Sequence, residues 1–310
     1  MAAMNVLIST SSFAQHSREP LEMLEAWGAQ YRLNAQGRKL AAEEIASLLG
    51  DVDGLVAGTE PLTREVLLRA PRLRVISRCG TGLDNVDLVA AAELGIKVRN
   101  TPDAHVDAVA ELTLAAMLST LRRIPEADRS IRTGGWKKPM GRLLRDRTVG
   151  LVGLGRVGRR LIELLEPFHA RILATDPNED VDLRAQGRVE YVELKELLEC
   201  SDIVSLHLPY SSEVYHLLDA DRIRSMKSGA VLINCARGGL VDESALYSAM
   251  QEGKLGGAHL DTFESEPYAG PLCELPELTL SSHIGSYAVE GRVQMEREAV
   301  RNLISSFGER

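Results

Sequence analysis

Two groups of residues in this chain can do chemistry: a run of glycines suited to phosphate, and three ionisable side chains late in the sequence. The run is Thr148-Val149-Gly150-Leu151-Val152-Gly153-Leu154-Gly155-Arg156-Val157-Gly158. It reads as a buried strand, a glycine-rich turn and the start of a helix. A dinucleotide pyrophosphate needs that order. Gly153 permits the tight turn, Gly155 lets the backbone approach the phosphates with no Cβ between, and Gly158 lets the helix pack close to the sheet. Arg156 and Val157 open the helix, whose first N–H groups and positive dipole end favour an anion. A second apolar strand over 171–175 ends at Asp176, placed to accept hydrogen bonds from both hydroxyls of an adenosine ribose. A 2′-phosphate there would meet the same negative charge. Pro177, Asn178 and Glu179 follow, with no arginine among them, so the reading is NAD and not NADP.

The ionisable residues are Arg237 in Asn234-Cys235-Ala236-Arg237-Gly238-Gly239, Glu266 just before Pro267, and His283 in Ser281-Ser282-His283-Ile284-Gly285. Each lies in a loop that follows an apolar strand. Loops at the carboxyl ends of parallel strands gather at one crevice, where ligands sit. The sequence alone does not bring the three together, and Glu264 is a rival to Glu266 on the same loop.

The elements that must position these residues form two alternating series. The first has strands over 5–9, 54–57, 74–77 and 96–98, with helices over 21–27 and 64–69. Asn100-Thr101-Pro102 stops that pattern, and a long apolar helix over 107–121 follows, a candidate hinge. The second series has strands over 148–152, 171–175, 189–192, 203–206, 230–233, 257–260 and 278–280. A last helix over 290–307 lies beyond it and packs most simply on the first series. Short apolar strands alternating with helices indicate open parallel sheets, an α/β fold.

At 310 residues the chain has room for two cores. Its net charge of −8 argues against nucleic acid as the main partner. No apolar stretch reaches the roughly 18–20 residues of a membrane span, and no signal peptide is evident. Cys79, Cys200, Cys235 and Cys273 form no CxxC pair, which suggests a reducing, cytoplasmic setting. The histidines are scattered, and no metal is expected.

Taken together, the motifs resemble the D-2-hydroxyacid dehydrogenase family, and most closely its phosphoglycerate dehydrogenase branch. The resemblance runs through Cys79-Gly80-Thr81-Gly82-Leu83-Asp84-Asn85-Val86-Asp87, Asn100-Thr101-Pro102, Ala110-Glu111, the cofactor glycines, His207-Leu208-Pro209, the run containing Arg237, and His283-Ile284-Gly285. It implies two doubly wound parallel-sheet domains, a Rossmann-type dinucleotide domain (99–286) inserted into a flavodoxin-like substrate domain (1–98 plus 287–310). It implies an NAD-dependent oxidoreductase transferring a hydride at C2 of a D-2-hydroxy or 2-oxo acid, most like phosphoglycerate dehydrogenase, with an anionic-tailed acid such as 3-phosphoglycerate or its oxo acid the first candidate. Glyoxylate or hydroxypyruvate reduction and, in a different class, an NAD-sensing corepressor remain as alternatives. By resemblance Arg237 binds the substrate carboxylate and polarises its C2 oxygen, His283 is the general acid/base, and Glu266 supports it, since the family's glutamate immediately precedes the proline. The amides of Gly80, Thr81 and Gly82 hold the other side of the carboxylate. Asp261 contacts the nicotinamide carboxamide, while His207, Pro209, Cys235 and Ala236 line the cofactor. Arg78 is kept as a phosphate-binding position, whereas Gly58 stands where that branch carries a basic residue. Leu143 replaces a common glutamate, and Tyr287 enlarges a usually small position after the catalytic histidine. A homodimer joined through the cofactor domain is implied as well.

Overall fold

Two strand series become two sheets. The computed structural model describes residues 4–308. Residues 1–3 and 309–310 of the expected domain bounds lie outside it. The chain divides into two compact units, Met1–His105 with Tyr287–Arg310, and Val106–Ser286.

The first unit holds β1 (Asn5–Ile8), β2 (Gln30–Leu33), β3 (Gly54–Ala57), β4 (Val75–Arg78) and β5 (Lys97–Arg99), in the order β2-β1-β3-β4-β5. Every pairing is parallel. That order belongs to flavodoxin-like sheets, whose switch point lies between β1 and β3. Central β3 is buried along its whole length, as a strand covered by helices on both faces must be. The helices Glu19–Ala26 and Val289–Gly308 cover one face, where Leu24, Met295, Ala299 and Leu303 pack on Val6, Ile8, Val56 and Val75. Ile45, Leu49, Val66 and Leu67 cover the other. Each large aliphatic buried in this way contributes about 1.5–3 kcal/mol.

β2 has no counterpart among the strands read from the sequence. Its Gln-Tyr-Arg-Leu run is mostly exposed at the sheet edge, so it lacks the apolar signal of a buried strand. The first boundary also differs. Residues 99–105 belong with the first unit and not with the inserted domain, because the turn after β5 is tied back to the loop after β4. Thr101 N–H donates to the Gly80 carbonyl (3.0 Å) and Thr101 Oγ1 accepts from Gly80 N–H (2.8 Å). The Thr81 hydroxyl bonds His105 Nδ1 at 2.9 Å.

The second unit holds β6 (Thr148–Val152), β7 (Arg171–Thr175), β8 (Glu190–Tyr191), β9 (Ile203–Leu206), β10 (Ala230–Asn234), β11 (Leu255–Leu260) and β12 (Leu278–Leu280). The sheet is parallel throughout and ordered β12-β11-β10-β9-β6-β7-β8. Its direction reverses between β6 and β9, the Rossmann switch point. The helix Val106–Leu121 lies inside this unit. It buries Val109, Ala116, Met117 and Leu121 against Val149, Leu151, Leu161 and Val231. The opposite face is closed by Leu197, Leu198, Ile223, Leu246 and Met250.

Candidate active site

Gly153 sits at φ +92°, and a Cβ there would come within 2.8 Å of the His207 carbonyl oxygen. A Cβ at Gly158 would meet the Gly153 carbonyl oxygen at 2.8 Å. Internal packing therefore demands both glycines. Gly155 is different: a Cβ there would touch nothing within 4 Å. Its bareness serves something other than this chain's own packing. Gly155 is also the N-cap of the helix Arg156–Leu165 and offers no side-chain cap, so the first helical N–H groups face outward for an anion. Asp176 closes the turn from β7. Its Oδ2 accepts from Leu154 N–H at 2.7 Å and its Oδ1 from Asn178 N–H at 2.8 Å. A carboxylate has about four lone-pair sites, so two remain for ribose hydroxyls. Pro177 is exposed beside it. Open glycine, uncapped helix and fixed acid together fit a dinucleotide.

His207 marks the switch point, where its N–H donates to the Val152 carbonyl at 2.8 Å. Its Nε2 lies 2.9 Å from the Ser205 hydroxyl, and burial pushes the imidazole down to about 4, so the ring is neutral near pH 7. Pro209 follows, exposed. Cys235 is buried at the end of β10, and burial drives its thiol up to about 12. Burial likewise raises Cys79 to about 11. Neither supplies a thiolate nucleophile.

Arg237 is held by a residue that sequence reasoning misses. Buried Asn234 accepts from Ala236 N–H through Oδ1 (3.1 Å) and donates from Nδ2 to the Arg237 carbonyl (2.9 Å). The available signal is an amide closing an otherwise apolar strand. The residue after the arginine, Gly238, packs backbone to backbone on the loop that carries Glu266; a Cβ there would overlap the Phe263 carbonyl. On that loop Glu266 faces His283, with Oε2 and Nδ1 2.9 Å apart. The rival Glu264 turns away to His216.

His283 occupies the left-handed region at φ +56°, costly for a residue with a Cβ. Asp261 keeps it there. The Asp261 carbonyl accepts from His283 N–H (2.7 Å), and its carboxylate accepts from Ile284 N–H (2.8 Å), Gly285 N–H (2.7 Å) and the Ser281 hydroxyl (2.5 Å). This carboxylate is fully buried and engaged by its own loop. The resemblance makes it a cofactor contact; its observed work is to fix the turn that presents the histidine.

In the first unit, Gly80 gives its N–H to Thr101, so it is not the free donor for a carboxylate that the resemblance implies. The amides of Thr81 and Gly82 are the ones left for that task. Arg78 folds back on its own loop, its guanidinium donating to the Cys79 carbonyl and lying where a Cβ of Gly80 would be. Gly58 follows β3 at the β1/β3 switch point. Its N–H donates to both oxygens of the buried Glu60 carboxylate, at 3.0 and 3.1 Å, and the Ser9 hydroxyl donates to the same group. A Cβ at 58 would meet Glu60 Oε2 at 2.9 Å and Thr10 Cα at 3.1 Å. The basic residue absent from position 58 is thus replaced by a buried acid beside it.

The family model for the D-isomer specific 2-hydroxyacid dehydrogenase NAD binding domain matches residues 114–285. The chain belongs to the D-isomer specific 2-hydroxyacid dehydrogenase family. It is 42% identical over 273 residues to a glyoxylate reductase of Thermofilum pendens, covering 85% of this chain and 80% of that protein. It is 41% identical over 252 residues to a D-3-phosphoglycerate dehydrogenase of Methanocaldococcus jannaschii, covering 80% of this chain but 47% of that one. The crystal structure of protein TT0316 from Thermus thermophilus superposes with a TM-score of 0.91 at 35% identity, covering 99% of this chain and 98% of that chain. As a member of the family, this dehydrogenase is an NAD-dependent oxidoreductase that acts at C2 of 2-hydroxy and 2-oxo acids. No helix among the described residues is long and apolar enough to cross a membrane.

Proposed function

We propose that this dehydrogenase reduces short, unphosphorylated 2-oxo acids, with glyoxylate and hydroxypyruvate the first candidates and NADH the reductant. The observation that carries the choice is Glu60. An open parallel sheet takes its ligand at the switch point, and here that position presents a buried carboxylate next to Gly58. A substrate phosphate would be repelled by this charge, whereas a two- or three-carbon acid with an uncharged tail brings no second anion. The names of the glyoxylate reductase relatives agree with it.

NAD, when bound, supplies or accepts the hydride at C2. The planar guanidinium of Arg237 holds the substrate carboxylate through paired donors and polarises the C2 oxygen. His283 gives its proton to that oxygen during reduction and removes it during oxidation. Glu266 orients the imidazole through the 2.9 Å contact. Initial rates of NADH oxidation with glyoxylate and hydroxypyruvate test the reading, with NADPH as a second reductant. Turnover of both acids, with NADPH the poorer donor because of Asp176, is expected. Absence of turnover on either acid overturns it.

The enzyme works as a homodimer joined through its cofactor domain. Supporting this, Ile124, Ile131, Trp136, Met140 and Leu143 leave one sequence segment unusually apolar, with side chains 55, 58, 77, 87 and 64% exposed. Light scattering should give twice the 33.9 kDa chain mass, and Trp136→Glu should lower it. A monomeric wild type contradicts the reading. All four cysteines are free thiols, which fits a cytoplasmic enzyme.

A further inference from the structure

The loop that carries Glu266 bears two carboxylates with two different histidine partners. Glu266 faces His283 at 2.9 Å, and Glu264 faces His216 Nε2 at 3.1 Å. Only the first pair belongs to the chemistry proposed above. The second pair sits where three segments meet. His216 N–H donates to the Gly239 carbonyl at 2.8 Å, two residues past Arg237, and Leu218 N–H continues that pairing to Leu240 at 2.9 Å. Its ring is stacked on Tyr215 with centroids 3.8 Å apart, and Gly239 in turn packs on Tyr210 and Tyr215. Its backbone is in the left-handed region, φ +50°, a conformation the surrounding contacts must hold.

Glu264, although exposed, is bound by each of these segments. Its carboxylate accepts from His216, from the Tyr215 hydroxyl (3.4 Å) and from Glu243 N–H (3.4 Å), and its own N–H donates to Glu243 Oε1 at 2.7 Å. The groups facing His216 are Glu264, Asp242 (3.9 Å from Nδ1), Glu243 and Tyr215. Three carboxylates therefore share one small region. Burial raises the Glu243 carboxyl, and the charge of Glu264 adds to that rise. Without the histidine, Glu264 would lose a side-chain donor and keep its acidic neighbours. The loop between residues 261 and 267 would keep its other anchors, the Phe263 N–H to Glu266 bond (3.2 Å) among them, and lose one restraint on the segment that carries Glu266.

We infer that His216 is a positioning residue of this enzyme: by holding Glu264 it fixes both the segment after Arg237 and the loop that aims Glu266 at His283. The inference rests on the acid/base assignment of Glu266 and His283. His216→Phe keeps the stacking on Tyr215 and removes the donor, and His216→Gln restores an N–H in its place. For the phenylalanine variant we expect kcat on hydroxypyruvate to fall roughly ten- to a hundredfold, because small misplacements of catalytic groups cost that much. NADH affinity, read by fluorescence titration, should be unchanged. His216→Gln should recover most of kcat. A merely structural role would lower thermal stability, leave the kcat of the folded enzyme unmoved and give no rescue in His216→Gln, and that result overturns the inference. Should His216→Phe not fold, Glu264→Gln, which weakens the same contact, is held to the same criteria. His283→Ala measured alongside separates the two levels. Full activity in His283→Ala defeats the acid/base reading itself, whereas a dead His283→Ala beside an unaffected His216→Phe defeats only the role of His216.

Discussion

His283 and Glu266 carry the most exposed prediction at the scale of single residues. Removing a positioned acid typically costs about 10²–10⁴ in rate, so His283→Ala should lose that much kcat while binding NADH as before. Glu266→Gln should lose less, because the imidazole stays in place without its 2.9 Å carboxylate partner. Stopped-flow turnover and NADH fluorescence check both; an active His283→Ala removes the histidine from the mechanism. These residues are legible in the sequence because each stands in a recognisable motif next to glycine or proline. Asp261, Asn234, His216 and Glu60 are not legible in their observed roles. Their work is to accept or donate hydrogen bonds within loops, and a carboxylate engaged by its own turn reads no differently in sequence from one that meets a ligand. Glu264 and Glu266 are two residues apart with the same side chain. Only the fold separates the one that faces His283 from the one that faces His216.

At the scale of elements, the strands that position the site are legible where they are buried on both faces. β3, β6, β9 and β10 are buried almost throughout and mostly apolar, as solvent-facing strands are not. β2 is hidden because an edge strand needs little hydrophobic content, and Gln30–Leu33 has little. The crossing at residues 99–105 is misplaced by sequence reasoning because its cause is a set of hydrogen bonds from Thr101 and His105 back to the loop after β4, and not a composition shift. Packing between elements gives a second prediction. Gly238 lets the turn after β10 lie directly on the backbone of Phe263 and Glu264. Gly238→Ala must push these segments apart and separate Arg237 from the loop of Glu266. Overpacking of this kind costs about 1–3 kcal/mol, so the variant should melt earlier and lose more than about tenfold in kcat. Wild-type melting and turnover in Gly238→Ala would show that the two loops do not depend on close backbone contact.

For the whole molecule, each sheet has one switch point, and polar residues gather at both. In the second unit the glycine turn and His207 flank the β6/β9 reversal, and in the first unit Ser9, Gly58 and Glu60 flank the β1/β3 reversal. His207 also ties stability to pH. Its folded-state value is about 4 against 6.5 for the free side chain, so between these limits the unfolded chain binds a proton that the native one excludes. Stability from this group is fully present above pH 6.5, declines as pH falls, and levels off near 4. At about 1.36 kcal/mol per unit the loss is at most about 3 kcal/mol. Urea unfolding at about pH 7.5 and about pH 4.5 should show that decline, and His207→Asn should reduce it; an equal decline in both proteins would assign the acid sensitivity to other groups.

Discrimination against a phosphorylated substrate is read from the ratio of kcat/KM for hydroxypyruvate to that for phosphohydroxypyruvate. The two acids share the reacting carbon and carboxylate and differ only in the phosphate. With Glu60 buried at the switch point and Gly58 unable to supply a cation, the ratio should favour hydroxypyruvate by at least about tenfold, which corresponds to roughly 1.4 kcal/mol. A ratio that favours phosphohydroxypyruvate would contradict the account and return the enzyme to the phosphoglycerate branch of its family.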